Sequence, residues 1–218
     1  MPPPLIVVDF DGTFTELDVG NALCERFAEP DWRRHIEQWL DGVLTLGEAQ
    51  RRAWRSISAG QAEMLAYALK VGRLRSGSEQ LLQAAQSGKV ELVMASGGFD
   101  LYIDPLLGAR SGWFIERFYN RLVFSPEGLE AIFPYPELAC ERCAVCKGKV
   151  VRRHVKPDRR IIFCGDGNSD RCAADTGAEL FAVRGGEFDS YCRENQIACT
   201  AFDDFREVLA AVFSWRPS

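Results

Sequence analysis

Four short apolar runs, at residues 5–8, 92–95, 161–164 and 180–183, constrain this chain more than any other feature. Each lacks a polar interruption, which suits strands buried on both faces, as in a parallel sheet. Apolar residues at helical spacing lie between or after them: Leu81, Leu82 and Ala85 in one stretch, and Phe202, Phe205, Val208, Leu209 and Val212 near the C terminus. Strands alternating with helices predict a layered α/β fold with a parallel sheet. A length of 218 residues holds one such domain with a modest insertion.

One interval breaks the rhythm. Roughly eighty residues separate the first two runs, whereas a simple crossover needs about thirty. The excess reads as an all-helical insertion, with helices expected over 19–27, 31–40, the segment carrying Leu46, Ala49, Ala53 and Ile57, and 61–70. The expected organisation is a core domain of 1–15 and 72–218 and a helical cap of 16–71. An insertion that leaves the sheet just past the first run would act as a lid over that point. Its Trp32, Trp39, Trp54, Leu44 and Leu46 could line a partly apolar pocket. Further on, 118–124 predicts a short strand, and Ser125-Pro126-Glu127-Gly128 a turn.

Three of the four runs end in polar signatures. Asp9 and Asp11 follow the first, Ser96-Gly97-Gly98 the second, and Gly165-Asp166-Gly167-Asn168-Ser169-Asp170 the third. Chemistry in parallel sheets gathers at the carboxyl ends of the strands, so these groups should converge at one edge. Buried carboxylates without partners cost several kcal/mol, so a cation or substrate is expected beside them. Hard carboxylate oxygens suit Mg²⁺ and a substrate phosphate. A serine followed by glycines offers a hydroxyl and unhindered N–H groups to phosphate oxygens. Lys147, at the start of an expected helix, could supply the positive charge that phosphoryl transfer requires. A calcium loop is a poor alternative, because Phe14 and Leu17 stand where oxygen ligands would be needed.

Composition narrows the partners. A net charge of −5 argues against nucleic acid, and the basic stretch Lys147, Lys149, Arg152, Arg153 and Lys156 reads as a solvated helix face. No apolar run approaches the ~18 residues that would span a bilayer. The opening Met1-Pro2-Pro3-Pro4 lacks the basic and apolar regions of a signal peptide, so a cytoplasmic protein is expected. Of eight cysteines, Cys140, Cys143 and Cys146 form a cluster. With His154 it could bind Zn²⁺ tetrahedrally and anchor the Lys147 segment, or the three thiols could pack or form a redox-labile pair.

Taken together, the motifs resemble those of the haloacid dehalogenase-like superfamily. Val8-Asp9-Phe10-Asp11-Gly12-Thr13 is similar to its first motif, Ser96 to its second, Lys147 to its third, and Gly165-Asp166 with Asp170 to its fourth. The resemblance implies a Rossmann-like core with a helical cap inserted after the first motif. It implies a phosphomonoester hydrolase in which Asp9 is the nucleophile and Asp11 the general acid and base. Asp9, the Asp11 backbone carbonyl and Asp166 would hold Mg²⁺ with Asp170 in support, while Ser96 and Lys147 would hold the phosphoryl oxygens; Gly97 and Gly98 are expected substrate contacts. The dehalogenase branch lacks the second aspartate, so Asp11 favours phosphate chemistry on a small phosphorylated metabolite.

Ser96-Gly97-Gly98-Phe99-Asp100, Asn120-Arg121-Leu122 and Lys147-Gly148 resemble the phosphoserine phosphatase-like branch. That branch's cap glutamate falls at Asp18, an expected substrate contact, and its carboxylate-gripping arginine falls at Ala53. Phe27-Ala28-Glu29-Pro30-Asp31-Trp32 and the cysteine-rich approach to Lys147 are more similar to the methionine-salvage phosphatases acting on hydroxy-keto-methylthiopentenyl phosphate. Phosphoethanolamine and phosphocholine phosphatases share the cysteine-rich approach. A phosphotransferase or a non-catalytic binding module of the same fold is the alternative of another class.

Overall fold

A computed structural model describes residues 2–214. Among these, seven strands form one sheet in the order β4-β3-β2-β1-β5-β6-β7. The strands are β1 (Leu5–Val8), β2 (Glu91–Phe99), β3 (Glu116–Ser125), β4 (Gly128–Ile132), β5 (Ile161–Gly165), β6 (Glu179–Val183) and β7 (Cys199–Phe202). All neighbours are parallel except β3 and β4, which form an antiparallel hairpin through the expected turn. The α/β architecture predicted from the four runs is therefore present, with β1 at its centre.

Successive residues of a strand face opposite sides of the sheet. Ile6, Val8, Leu92 and Met94 pack with Leu81 and Leu82 of α5 (Ser78–Gln86) and Phe205, Val208 and Val212 of α9 (Phe205–Ser214). Leu5, Val7, Val93 and Phe163 pack on the other face with Val150 and Val151 of α7 (Lys147–Arg153) and Phe188 and Cys192 of α8 (Glu187–Glu194). Covering on both faces explains why the strands read as unbroken apolar runs.

Between β1 and β2 lie α1 (Val19–Phe27), α2 (Trp32–Leu40), α3 (Leu46–Arg55) and α4 (Gln61–Val71), ahead of α5. The helix starts have visible causes. Asp18 accepts a hydrogen bond from Asn21 N at 2.6 Å, and Thr45 with Glu48 closes a reciprocal cap on α3. The segment leaves and re-enters side by side: Glu16 N donates to Arg73 O at 2.9 Å and Arg75 N to Phe14 O at 2.9 Å. α6 (Asp100–Leu107) follows β2 directly and buries Leu101, Tyr102, Ile103 and Leu107.

Two sequence expectations change. Phe202 belongs to β7 and not to the terminal helix, because the apolar residue there caps the sheet edge before α9 begins. Lys147 does not belong to a solvated face: it is 1% exposed, whereas Lys149, Arg152 and Arg153 of the same helix are exposed. No helix among the described residues is long and apolar enough to cross a membrane.

Candidate active site

Register brings the polar signatures together. Val8 of β1 pairs with Met94 of β2 and with Cys164 of β5, so Asp9, Ser96 and Asp166 come to the same end of the sheet, with Ser96 still inside β2, which runs on to Phe99. Asp9 N donates to Cys164 O at 3.0 Å, which fixes the nucleus of the site between the other two strand ends. A cavity of about 480 Å³ opens there, and Asp9, Asp11, Asp18, Ser96, Gly97, Gly98, Lys147 and Asp166 all line it. This volume is within the usual range for small-molecule sites.

After Asp9 the chain turns sharply through Phe10–Phe14, with Gly12 at φ +74°. A side chain at Gly12 would be strained there, and a Cβ would sit 2.3 Å from Asp166 Oδ2. The turn is pinned by Arg75, which donates to Thr13 O at 2.8 Å and Gly12 O at 2.6 Å. Thr13 Oγ1 donates to Asp166 Oδ1 at 2.7 Å and so orients that carboxylate toward the first turn.

Lys147 opens α7 and its ammonium group lies 3.4 Å from Asp9 Oδ1, 3.2 Å from Asp170 Oδ1 and 2.5 Å from Ser169 Oγ. Burial works against its charge, but Asp170 and Asp9 overcome that and hold its pKa above the ordinary lysine value. Asp170 Oδ2 accepts from Asp166 N at 2.8 Å and Gly167 N at 2.9 Å, closing the turn that presents Asp166. Asp170 is thus a bracket between Lys147 and the Asp166 turn.

Asp11 has a different environment. Its Oδ1 accepts from Val19 N at 2.9 Å, and its Oδ2 accepts from Tyr102 OH at 2.6 Å. Burial, then the charge of Asp18, push its pKa up to about 8 against the lowering effect of Tyr102. A carboxyl near this value can both give and take a proton at neutral pH. Asp9 is raised as well, by burial first, with Lys147 opposing. Asp166 is pushed up to about 7 by burial and by Asp170.

Carboxylate oxygens of Asp9, Asp166 and Asp170 lie within 4.8 Å of one another. Among the described residues, Lys147 is the only cationic side chain lining the cavity. Three clustered carboxylates facing one ammonium leave a charge deficit of two, and every donor in the set is a hard oxygen. The residues present therefore fit Mg²⁺.

Ser96 is fully buried in a bulged stretch of β2, where the pairing with β3 shifts between Ala95 and Phe99. Gly98 N donates to Ser96 Oγ at 2.9 Å, leaving the hydroxyl proton available as a donor. A Cβ at Gly98 would meet Asp11 Oδ2 and Tyr102 OH, each at 2.3 Å, so only glycine lets these groups approach. Gly97 O accepts from Asn120 Nδ2 and from Gln50 Nε2, both at 2.9 Å; Gln50 belongs to α3 and ties the inserted helices to the strand end.

The far wall is apolar: Trp32, Ile36 and Trp39 from α2, and Leu46, Ala53 and Trp54 from α3. Leu44, expected on this wall, does not line the cavity and packs against the Trp39, Leu46 and Ala49 cluster. Arg51 stacks on Phe133 with its guanidinium 4.6 Å from the ring centre, and Arg52 and Arg55 point outward, so no arginine replaces Ala53. Asp18 lines the cavity, but one carboxylate oxygen is engaged in capping α1.

His154 does not join the cysteines. It ends α7, and its Nε2 faces Glu116 Oε2 of β3 at 3.1 Å. Burial lowers its pKa. The expected set of Cys140, Cys143, Cys146 and His154 therefore does not converge, because the end of α7 turns His154 toward β3. Tyr102, Gln50, Arg75 and Asn120 are contributions the sequence reading missed. Tyr102 sits in α6, Gln50 in α3 and Arg75 in the loop before α5, none of them in a motif, while Asn120 of β3 stood in a resembling segment with no role assigned; only the fold reveals their partners.

Residues 6–175 match the haloacid dehalogenase-like hydrolase family, and the chain belongs to it. It is an enzyme of the phosphatase type within that family. A relative from Bacillus mycoides named 2-hydroxy-3-keto-5-methylthiopentenyl-1-phosphate phosphatase is 28% identical over 94% of this chain and 94% of its own. One of the same name from an Exiguobacterium species is 30% identical over 94% of this chain and 95% of its own. A substrate-bound phosphoserine phosphatase shares the fold, with a TM-score of 0.71 and 17% identity over 97% of this chain and 99% of that one.

Proposed function

We propose that the chain is a Mg²⁺-dependent phosphomonoester hydrolase that works through an aspartyl-phosphate at Asp9. The observation that carries this reading is the pairing of two carboxyls in one cavity: Asp9 faces Lys147, while Asp11 is held away from it by Tyr102 and the start of α1. Asp9 and Asp166, with the Asp11 backbone carbonyl, would hold Mg²⁺, which supplies positive charge to the phosphoryl oxygens when bound. Ser96 Oγ–H, the Lys147 ammonium and the Gly97 N–H hold the phosphoryl group.

In the first half-reaction an Asp9 oxygen attacks phosphorus and the ester P–O bond breaks. The Asp11 carboxyl gives its proton to the leaving oxygen. In the second half, Asp11 takes a proton from water as that water attacks phosphorus, releasing inorganic phosphate and restoring both carboxyls. A group raised to about 8 suits both roles, whereas a solvent-exposed aspartate would be a poor acid at pH 7.

The substrate side favours an apolar tail. Residues 16–71 act as the cap and choose the leaving group. Their wall of Trp32, Ile36, Trp39, Leu46 and Trp54 has no cation to grip a carboxylate. The relatives' name supports 2-hydroxy-3-keto-5-methylthiopentenyl-1-phosphate as the substrate. Its methylthioalkyl end would gain about 0.8 kcal/mol per buried methylene. The test is kcat/KM for this ester against phosphoserine, phosphoethanolamine and phosphocholine. Phosphoserine should trail by roughly tenfold or more for want of an arginine partner; if it is the best of the four, the substrate reading fails.

A further inference from the structure

The cysteines that the site does not use form a second constellation. Sγ atoms of Cys140, Cys143, Cys146 and Cys172 all lie within 4.8 Å of one another, and Cys143 and Cys172 are 3.7 Å apart. A zinc–sulfur bond of about 2.3 Å places the sulfurs of a tetrahedral site about 3.8 Å apart, so the four need only small shifts to converge. All four are free thiols. The fourth member comes from outside the clustered spacing: Cys172 lies on the turn Asn168–Ala173.

The backbone around them is built to hold sulfur in place. Cys140 N donates to Cys143 O at 2.9 Å and Cys143 N to Cys140 O at 3.3 Å, closing a tight turn, and Cys146 N donates to Leu138 O at 2.9 Å. Cys143 and Cys146 are buried while Cys140 and Cys172 are half-buried, so the site is closed on the protein side yet reachable by an ion.

We propose that Cys140, Cys143, Cys146 and Cys172 form a structural four-thiolate zinc site. Zinc binds as each thiol gives up its proton to solvent, with no change of oxidation state. Four protein ligands leave no open position, so this zinc takes no part in hydrolysis. Its place in the fold defines its role. Cys146 precedes Lys147, Cys172 follows Asp170 by two residues, and Trp39 Nε1 of the cavity wall donates to Arg142 O at 2.6 Å. One ion would therefore clamp the segment delivering Lys147 to the turn presenting Asp166, and would brace the wall of the cavity.

The experiment uses the full chain, reduced, loaded with one equivalent of Zn²⁺ and passed through a desalting column. One zinc per chain should be retained, and Cys140, Cys143, Cys146 and Cys172 should resist a thiol reagent until the metal is chelated. Co²⁺ in place of zinc should give the sulfur-to-metal charge-transfer bands and intense visible bands of a tetrahedral sulfur site. Cys172→Ser should weaken zinc binding by roughly tenfold or more, while His154→Ala leaves it unchanged. Loss of zinc on the column with free thiols, a disulfide among the four, or a weak octahedral Co²⁺ spectrum would each overturn the proposal. Should Cys172→Ser fail to fold, the Co²⁺ spectrum of the unsubstituted protein still decides.

Discussion

Replacing Tyr102 by phenylalanine isolates what the cavity does to Asp11. The ring stays where it packs, 6.1 Å from Phe10 centre to centre, so the fold should survive. What is lost is the 2.6 Å donation from the hydroxyl to Asp11 Oδ2, which has no other hydrogen-bond donor among the described residues. That bond favours the ionised carboxylate and opposes the burial that pushes Asp11 up to about 8. A hydrogen bond to a charged group contributes roughly 1.5–3 kcal/mol, and each pKa unit corresponds to about 1.4 kcal/mol. The Asp11 pKa should therefore rise by roughly one to two units. Steady-state kcat against pH, with Mg²⁺ saturating, reads the effect. Hydrolysis of the phosphoenzyme needs ionised Asp11, so the rising limb should move to higher pH by the same amount. At pH 7 the loss should be roughly ten- to a hundredfold, recovering in alkali. A limb that stays in place, or moves to lower pH, would refute the idea that Tyr102 tunes the acid and base.

Mg²⁺ should stabilise the fold more at pH 8 than at pH 6. Asp11 and Asp166 are raised to about 8 and about 7, above the ~4 of an unfolded carboxyl. Their contribution to stability is full below pH ~4 and is lost as pH rises through those folded values, so the metal-free Tm should fall between pH 6 and 8 and the Mg²⁺ increment should grow; a larger increment at pH 6 would contradict the assignment. Gly12→Ala should cost on the order of 1–3 kcal/mol in urea unfolding and abolish activity, because φ +74° and the 2.3 Å approach to Asp166 both exclude a side chain; near-wild-type stability would show that the turn relaxes freely.

The central strands and the polar ends that follow them were legible because burial on both faces and the chemistry of strand ends leave plain marks in sequence. β1, β5 and β6 fall where the apolar runs predict, and α1 spans the expected 19–27. β4 and β7 were not read, since each is short and at or near a sheet edge, where alternation is weak. The convergence of Asp9, Ser96 and Asp166 follows from register, while Asp11 is placed by the turn after Asp9 and Lys147 by the start of α7. Cys172 was missed because its relation to Cys140, Cys143 and Cys146 is spatial: a 3.7 Å sulfur contact crosses 29 positions of sequence. His154 was misplaced for the opposite reason, being near in sequence but turned toward β3 at the far end of α7.

The most direct measurement is to trap the covalent intermediate. The Asp11→Asn chain lacks the base that activates water, so brief mixing with Mg²⁺ and p-nitrophenyl phosphate, whose leaving group departs without a proton from Asp11, followed by acid quench and peptide mass mapping, should find one phosphoryl group on Asp9. The same treatment of Asp9→Asn should find none, with turnover lost. A phosphoryl group on any other residue, or undiminished turnover by Asp9→Asn, would contradict the account.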